Sequence, residues 1–385
     1  MKKKLAVVII FIIILVFPMV TWPIASQLNL PTVDENREKA KFPQFGNDVF
    51  TQFDKYFADR APYRDALIKM YKDVERQLKL LYEKMLPDDV DYYTEINKVL
   101  FGQEDWLFYT GDDSLAYYKG TNLPTEAELQ GYVARAEKVN EYFKAQGKEF
   151  VIFIAPNKEQ IYSEYMPINL HVKNKIKRAD MIYDYFRKHS DVKVLYPKDE
   201  LIEAKKDGFT YLQEDTHWND FGAYIGAKSI FDALHVALGD VEITDIPWTG
   251  GDLPPMAALT PSKYTAYNVN YRPDVTLNYL DVSSNGYKIE SSNKNGKHLF
   301  VFGDSFTLAD YTSSGEPYRV GLKGILSKEY ETSSIYHKDR FGTDDTHADE
   351  IDDATTVIFE AVERYEQSIF ADWGLLQRFI NVYGL

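Results

Sequence analysis

The residues of this chain with the clearest potential for chemistry are one serine and two histidines that follow aspartates. Ser305 stands in FGDSF, at the end of an apolar run. His217 follows Asp215 by two positions in QEDTHWND, and His347 follows Asp344 by three positions in DDTHAD. A serine nucleophile needs a base, usually histidine, that an acid orients. The sequence therefore asks which histidine would serve Ser305.

Ser305 is placed where a reactive hydroxyl would be useful. HLFVFGDSF predicts a buried strand that stops at a turn, and functional groups of open α/β sheets collect beyond the carboxyl ends of strands. Gly303 permits close approach of the backbone, and the Ser305 amide could face a developing oxyanion. The G-x-S-x-G elbow of α/β-hydrolases is absent. An Asp-Ser pair that only caps a helix or forms a turn is the alternative.

Sequence context favours His217 over His347 as the base. His217 lies between strand-like and helical segments, with Trp218 beside it as a shield. Residues two apart in an extended segment point to the same face, so Asp215 could support the His217 imidazole. His347 lies in a stretch rich in aspartate, which is typical of a solvated acidic loop. We therefore predict a triad of Ser305, His217 and Asp215, with His347 as a solvated loop residue.

Composition excludes several other classes of function. The 385 residues are 45% hydrophobic, enough to build a large core, and carry a formal net charge of −15. Such a charge argues against nucleic-acid binding, which needs a basic surface. With no cysteine the chain has neither a disulfide framework nor a cysteine-based zinc site. The seven histidines show no H-x-x-x-H spacing and DDTHADEIDD is not an EF-hand loop, so no metal or cofactor is predicted.

The N-terminus predicts a membrane anchor. MKKK precedes residues 5–22, which carry no charge. As a helix this run would span roughly 27 Å, close to the hydrocarbon core of a bilayer. It is longer than the apolar region of a cleaved signal peptide, the alternative, and PIAS is a poor cleavage site. We expect an uncleaved anchor with its lysines in the cytoplasm and the remainder outside the cell.

Alternating strands and helices predict an α/β fold with a mostly parallel sheet and helices on both faces. Two helices broken near Pro62 are expected over 49–86, then a hairpin at 98–109 and loops and hairpins over 243–293. Residues 211–218 are predicted as strand or loop. Further helices are predicted at 125–147, 178–189, 197–206, 219–238 and the C-terminus, and buried strands at 150–156, 192–197, 298–303, 333–337 and 355–362. We divide the chain into the anchor (1–25), a juxtamembrane linker with a helical segment (26–95), and a catalytic domain (96–385) into which 243–293 is inserted.

GDSF together with an Asp/His element resembles the SGNH (GDSL-type) hydrolases. In their usual members the serine block comes first and a D-x-x-H block last, a spacing that Asp344 and His347 fit formally. Only 42 residues separate Ser305 from His347, however, and most of the predicted sheet precedes Ser305. DTHW upstream of GDSF, behind an anchor and a WLFY element, is more similar to the SGNH-like acetyltransferases of the AlgX/AlgJ and DHHW group. There the motif order is rearranged.

This resemblance covers roughly residues 50–385. It depends on FADRAPYR, FGQEDWLFY, PNKEQIYSEYMP, EDTHWNDFGAY, FGDSF and a terminal VER. The DHHW name implies a histidine where this chain has Thr216, which leaves the subfamily open. The resemblance implies a three-layer SGNH-like sandwich. It also implies Asp215 as acid, His217 as base, Ser305 as nucleophile and Tyr311 as a further site residue.

By the same resemblance the chain would be an extracellular O-acetyltransferase of a bacterial surface or secreted polysaccharide. It would work through an acetyl-serine, with acetyl supplied by a membrane-bound O-acyltransferase partner. A glycan O-acetyl esterase and an inactive glycan-binding or assembly protein stay open as alternatives. Oxyanion or substrate roles are considered for Gly303, Tyr311, Trp218, Asn219 and Arg364.

Each of those further roles has a structural alternative. Trp106, Trp218 and Trp248 could stack on sugar rings or belong to the core. Asn219 could cap the helix that follows it, and Arg364 could form an ion pair with Glu363.

Overall fold

The computed structural model describes residues 11–12, 16–17, 20–21, 40–44, 46, 48–87, 89–283, 286–308, 320–342 and 346–385. Most of the predicted anchor and all of Tyr311 lie outside these ranges. Among the residues described, none belongs to a helix that is both long and apolar enough to cross a bilayer.

A seven-stranded sheet forms the centre of the fold, in the order β5-β4-β12-β10-β11-β9-β8. The first five strands in this order run parallel, and β9 and β8 continue the sheet antiparallel. The mostly parallel sheet is thereby confirmed. Its strands are β4 (Glu149–Ala155), β5 (Lys193–Leu195), β8 (Leu277–Ser283), β9 (Gly286–Ser291), β10 (His298–Gly303), β11 (Thr332–His337) and β12 (Thr356–Val362).

Helices cover both faces of the sheet, because the central strands are apolar on both sides. In β10, Leu299 and Val301 belong to one hydrophobic cluster, and Phe300 and Phe302 belong to the cluster on the opposite face. The three layers predicted from sequence are therefore present. The helices of this part are α3 (Ser114–Lys119), α4 (Glu126–Ala145), α5 (Lys158–Ile161), α6 (Arg178–His189), α7 (Lys198–Ala204), α8 (Asp220–Ala233), α9 (Leu253–Met256), α10 (Ser305–Leu308), α11 (Gly321–Ser327), α12 (Ala348–Asp353), α13 (Gln367–Phe370) and α14 (Leu375–Tyr383).

Two helices precede the sheet and break as predicted near Pro62. Helix α1 spans Val49–Arg60 and α2 spans Arg64–Met85. A small antiparallel sheet follows, and its β2-β3 hairpin is the one expected from WLFY. Its strands are β1 (Glu95–Ile96), β2 (Val99–Phe101) and β3 (Leu107–Tyr109).

The predicted insertion at 243–293 is only partly separate from the sheet. Strands β6 (Val241–Thr249) and β7 (Lys263–Tyr271) form a two-stranded hairpin of their own. Strands β8 and β9, in contrast, extend the central sheet through pairing of β9 with β11. Strands β8 and β9 of the predicted insertion therefore belong to the central sheet. The long-range pairing that recruits these strands leaves no mark in their local pattern.

One predicted helix ends early. Helix α8 stops at Ala233 rather than 238, and His235 adopts a left-handed φ of 54° that a helix cannot contain.

Candidate active site

The turn after β10 holds Ser305 at the carboxyl edge of the sheet. The Asp304 carboxylate accepts hydrogen bonds from the backbone N–H of Phe306, at 2.9 Å, and of Val362, at 2.8 Å. Asp304 thus ties the turn to the end of the neighbouring strand β12. Ser305 begins α10 and is half-buried, so its hydroxyl is supported by the turn yet accessible.

Gly303 and Glu360 pack against each other beneath this turn. A Cβ at Gly303 would lie 2.8 Å from Glu360 Oε2, so only glycine fits without a shift. Glu360 Oε2 accepts hydrogen bonds from the Asp304 N–H at 2.9 Å and from the Thr307 hydroxyl at 2.7 Å. Burial, together with the charge of Asp304, raises the pKa of Glu360 well above its ordinary value. Gly303 therefore supports the turn from below.

Glu360→Gln should make the stability of the protein less dependent on pH. The pKa of this carboxyl is higher in the folded protein than in the unfolded chain, where it is about 4.5. Its contribution to stability is therefore fully present below about pH 4.5 and is lost as the pH rises through the folded pKa. Glutamine mimics the neutral acid and cannot ionise. We expect the melting temperature of the wild type to fall more than that of the variant as the pH rises from about 4.5, the unfolded pKa, into the neutral and basic range. Parallel curves would contradict this, and exposed Glu141→Gln is the control.

The predicted strand or loop at 211–218 is a loop closed by one bridge between Tyr211 and Trp218. Asn219 ends it as the cap of α8, its side chain accepting the Gly222 N–H at 3.0 Å. Asn219 is buried, and its amide nitrogen donates to the backbone of Phe209. The structure therefore gives Asn219 a capping role and offers it no exposed surface for substrate.

Lys158 holds this loop from inside. Its ammonium donates to three backbone carbonyls, those of Leu212 and Gln213 at 3.2 Å and that of Asp215 at 2.6 Å. Burial lowers the pKa of Lys158 to about 8. Lys158 lies three residues after the end of β4. Its contacts make it a support for the backbone that carries Asp215.

Lys158→Met should loosen the loop while keeping the apolar stem of the side chain. Three carbonyls would lose a charged donor, and we expect a loss of about 2–4 kcal/mol in stability. Turnover should fall about 10-fold or more, because a misplaced catalytic group lowers the rate steeply. Thermal unfolding and ester hydrolysis would be measured beside Lys144→Met, at an exposed position. Unchanged stability and rate would argue against this support.

The loop and the turn bring Asp215, His217 and Ser305 together. His217 Nε2 lies 2.8 Å from Ser305 Oγ, and His217 Nδ1 lies 2.7 Å from Asp215 Oδ1. Asp215 and His217 are 1% and 5% exposed, so solvent does not compete for their hydrogen bond. The His217 backbone N–H also donates to Asp215 Oδ1, at 3.0 Å. This arrangement lets the imidazole take a proton from the serine while the carboxylate fixes its tautomer.

A second carboxylate, Asp252, adjoins this chain of hydrogen bonds and was not anticipated. Its Oδ2 lies 3.7 Å from His217 Nδ1 and accepts the Thr216 hydroxyl at 2.7 Å. Its backbone N–H donates to Asp215 Oδ2 at 3.0 Å. Asp252 can come this close to Asp215 because residue 251 is glycine. A Cβ at Gly251 would lie 2.6 Å from the Asp215 Cβ. Burial, and then the charge of Asp215, raises the pKa of Asp252.

The same three side chains offer a set of ligand types that metals use. One oxygen or nitrogen each from Asp215, His217 and Asp252 lies within 4.8 Å of the others. A cation there would take His217 Nδ1, the atom that now bonds Asp215. Metal binding and the hydrogen-bonded triad are therefore mutually exclusive uses of this imidazole.

Arg364 packs among three aromatic rings, one of which belongs to Phe306, the residue after Ser305. The Arg364 guanidinium lies 5.7 Å from the Phe306 ring centre, 5.5 Å from that of Tyr109 and 5.3 Å from that of Tyr365. It donates to the Asn157 side chain at 3.2 Å. Arg364 is thus held against the Phe306 ring.

Arg364 does not form the ion pair with Glu363 that the sequence left open as an alternative. Glu363 is buried and turns away from Arg364, accepting bonds from Asn157 N–H, Tyr196 and Gln160.

The tryptophans considered for sugar stacking are core residues. Trp106, Trp218 and Trp248 are 2%, 3% and 5% exposed, so none presents a ring face to a glycan. The Trp218 indole N–H donates to the Phe306 carbonyl at 3.1 Å, and its ring packs edge-on against Phe306. Trp218 therefore covers the buried side of the site, as its position next to His217 in the sequence suggested.

His347 belongs to neither the site nor a solvated loop. It is 9% exposed, and its ring stacks on Tyr336 with centroids 3.9 Å apart. It also packs near Phe300 and Phe302, on the sheet face opposite Leu299 and Val301. The prediction of a solvated residue was wrong, because one ring can be buried even where its neighbours in sequence are acidic.

A half-buried serine is hydrogen-bonded to a buried His–Asp pair at the carboxyl edge of a mostly parallel sheet, which is the geometry that a serine nucleophile requires, and the fold is SGNH hydrolase-like α/β. The family model for the SGNH hydrolase-like domain of acetyltransferase AlgX matches residues 99–308. This match covers more than half of the 385 residues, and the chain belongs to that family.

Curated relatives and solved structures also resemble this chain. A probable alginate O-acetylase AlgJ of Pseudomonas putida is 27% identical over 143 residues, which are 35% of this chain and 34% of the relative. The match thus spans about a third of that relative's length. A DHHW family protein of Eubacterium siraeum is 18% identical with a TM-score of 0.49, covering 72% of this chain and 94% of that structure. The O-acetyltransferase domain of Pseudomonas putida AlgJ is 17% identical with a TM-score of 0.44, covering 73% and 98%.

Proposed function

We propose that this protein is a membrane-anchored extracellular O-acetyltransferase that acetylates hydroxyl groups of a bacterial polysaccharide. The observation that carries the proposal is the hydrogen-bonded series from Asp215 through His217 to Ser305 at an accessible strand end. Membership of the AlgX-type acetyltransferase family supports acetyl as the transferred group. The name of the AlgJ relatives, alginate O-acetylases, supports a polysaccharide as the acceptor.

In the first half-reaction Ser305 takes the acetyl group from its donor. His217 Nε2 accepts the hydroxyl proton as Ser305 Oγ attacks the acetyl carbonyl carbon. Asp215 stabilises the resulting imidazolium through Nδ1. The amide of Ser305 would face the oxyanion. As the tetrahedral intermediate collapses, the imidazolium gives its proton to the leaving group, and acetyl-serine remains.

In the second half-reaction a sugar hydroxyl replaces water as the attacking group. His217 removes the proton of that hydroxyl, and its oxygen attacks the acetyl-serine carbonyl. Collapse of the second intermediate returns the proton to Ser305 Oγ and releases the acetylated sugar. Transfer prevails over hydrolysis if the glycan is positioned better than water. Arg364, close to the Phe306 ring, is placed to position that acceptor.

The anchor and the donor partner are part of the proposal. The uncharged run at 5–22 after MKKK supports tethering to the membrane with the site outside the cell. Acetyl-CoA is not an extracellular donor, so a membrane-bound O-acyltransferase would pass acetyl across the bilayer. Membrane fractionation followed by protease treatment of intact cells tests the topology. Protection of the domain that carries Ser305 would contradict it.

The activity is tested with the purified full chain in detergent, using p-nitrophenyl acetate as donor with and without oligosaccharide acceptors. Nitrophenol release reports formation of acetyl-serine, and mass spectrometry reports acetylated sugar. We expect an acetylated product that requires both Ser305 and an acceptor. Hydrolysis that ignores every acceptor would instead indicate the esterase, and no turnover with glycan binding would indicate the binding protein. Chelator is included in a parallel reaction, since a bound cation would block His217 Nδ1.

A further inference from the structure

Helix α2 is mounted with its apolar side facing solvent. Eight large apolar residues along it are between 53% and 75% exposed. They are Leu67, Met70, Tyr71, Val74, Leu78, Leu81, Tyr82 and Met85. On an α-helix these positions fall within one stripe about 120° wide. We call this stripe the outer face of α2. So large a continuous apolar surface is unusual on a protein that works alone.

The opposite side of α2 is already used. The Arg76 guanidinium lies 5.7 Å from the Phe101 ring centre. Glu83 accepts the Thr94 hydroxyl at 2.9 Å, and Leu80 packs against the cluster that contains Phe101. The helix is therefore fixed to the small antiparallel sheet by its inner side. Rolling the helix to bury the outer face would break these contacts, so more than half of the surface of each outer-face side chain stays exposed to a partner molecule.

The spacing of the outer face is that of a coiled coil. Leu67, Tyr71, Val74, Leu78, Leu81 and Met85 follow one another at intervals of 4, 3, 4, 3 and 4 residues. This is a period of 3.5, which keeps a seam facing a second helix. Leu67, Val74 and Leu81 occupy the d positions of this repeat, and the other three residues occupy the a positions. A flat lipid surface does not require this period.

We propose that the outer face of α2 pairs in parallel with the same face of a second copy of this chain. Each seam residue then meets its own counterpart, so the apolar surface is self-complementary. In parallel pairing the flanking g residue of one helix faces the e residue five positions later on the other. Met70 faces Glu75 and Gln77 faces Tyr82, so no like charges oppose each other. The charge pattern therefore accepts a second copy without repulsion.

The geometry of the chain also suits parallel pairing. The helix is about 33 Å long, three heptads, and the catalytic domain lies on the side away from the seam. Parallel pairing sends both N-termini in the same direction, as two chains anchored in one membrane would need. A shared membrane would also raise the effective concentration of the two helices. The parallel direction rests in part on the proposed membrane anchor, whereas the pairing itself does not depend on the proposed function.

Cysteine cross-linking of the full chain, purified in detergent micelles, tests the pairing and its register. The chain has no cysteine, so each variant carries a single thiol. Counterparts across a parallel seam lie within disulfide reach. We expect rapid disulfide dimers from Leu67→Cys, Val74→Cys and Leu81→Cys alike. Lys188→Cys, at an exposed position on α6, gives the background from random collision.

Disruption of the seam provides the second measurement. Leu78 is 62% exposed, so Leu78→Glu should fold normally yet place a carboxylate in the seam. We expect dimerisation at least about 100-fold weaker by sedimentation velocity, with an unchanged melting temperature at dilutions where the wild type is also monomeric. Gln77→Glu introduces the same charge at the flank and should weaken dimerisation less.

Three results would overturn the proposal. The first is background-level cross-linking at all three seam positions in a chain that sediments as a monomer. The second is cross-linking at one position alone, which would indicate antiparallel pairing. The third is flotation of a monomeric chain with phosphatidylglycerol-containing vesicles that Leu78→Glu abolishes, which would assign the outer face to lipid.

Discussion

Ser305→Ala is expected to reduce acetyl transfer by about 10⁴-fold or more while leaving the fold intact. The Ser305 hydroxyl is not part of the core, and Asp304 holds the turn around it. Losing one member of a catalytic triad typically removes most of the rate. His217→Ala should have a similar effect. The double variant should be little worse than either single variant, because the residues act as a unit.

The measurement compares nitrophenol release and acetylated sugar per folded molecule, with melting temperature as the check on folding. His347→Ala is the control, since His347 packs against Tyr336 away from the triad. It should lose some stability and keep its rate at temperatures where it is folded. Activity that survives in Ser305→Ala, or that disappears in folded His347→Ala, would refute the proposed wiring.

Asp252→Asn is expected to lower turnover about 10-fold at neutral pH and to move the acid limb of the kcat/KM profile to lower pH. Asp252 Oδ2 lies 3.7 Å from His217 Nδ1, so its charge favours the imidazolium. Without that charge the imidazolium that forms when Ser305 is deprotonated is less stabilised. Asparagine can still accept the Thr216 N–H, which Asp252 Oδ1 accepts at 2.8 Å. Asp252 is therefore a positioning residue that acts through His217 and Thr216.

A pH–rate profile separates this role from a merely structural one. Asp245→Asn, at an exposed position of β6, removes one charge from the same hairpin and should leave the profile unchanged. A variant with normal stability and an unshifted acid limb would show that Asp252 does not influence the proton on His217. The buried charge of Asp215 would then suffice.

The parts of the site predicted from sequence are those that local pattern encodes. Asp215 and His217 are two residues apart, and an apolar strand leads into Ser305, so each half of the triad is visible in a short stretch. The short distance between His217 Nε2 and Ser305 Oγ is not visible in any short stretch, because 88 residues separate the two halves. Choosing His217 over His347 depended on context, and the structure places His217 beside Ser305.

The remaining features depend on contacts that no local pattern records. Asp252 follows Gly250 and Gly251 in a hairpin connection, and only the folded chain brings it to Asp215. A double glycine before an acid was the one available sign. Likewise, strands β8 and β9 look like a separate hairpin until β9 pairs with β11. The burial of His347 came from stacking on Tyr336, against an acidic local sequence.

The position of β12 in the sheet has a consequence for biogenesis. This strand, Thr356–Val362, lies between β4 and β10 and pairs with both, although it is made last of the seven. Until residue 362 has emerged, the edges of β4 and β10 that it joins have no partner strand. Unpaired apolar strand edges are sites of aggregation and of capture by chaperones. The nascent chain therefore has to be protected until almost its whole length is available, and the active-site turn, which depends on the Val362 N–H, forms only then.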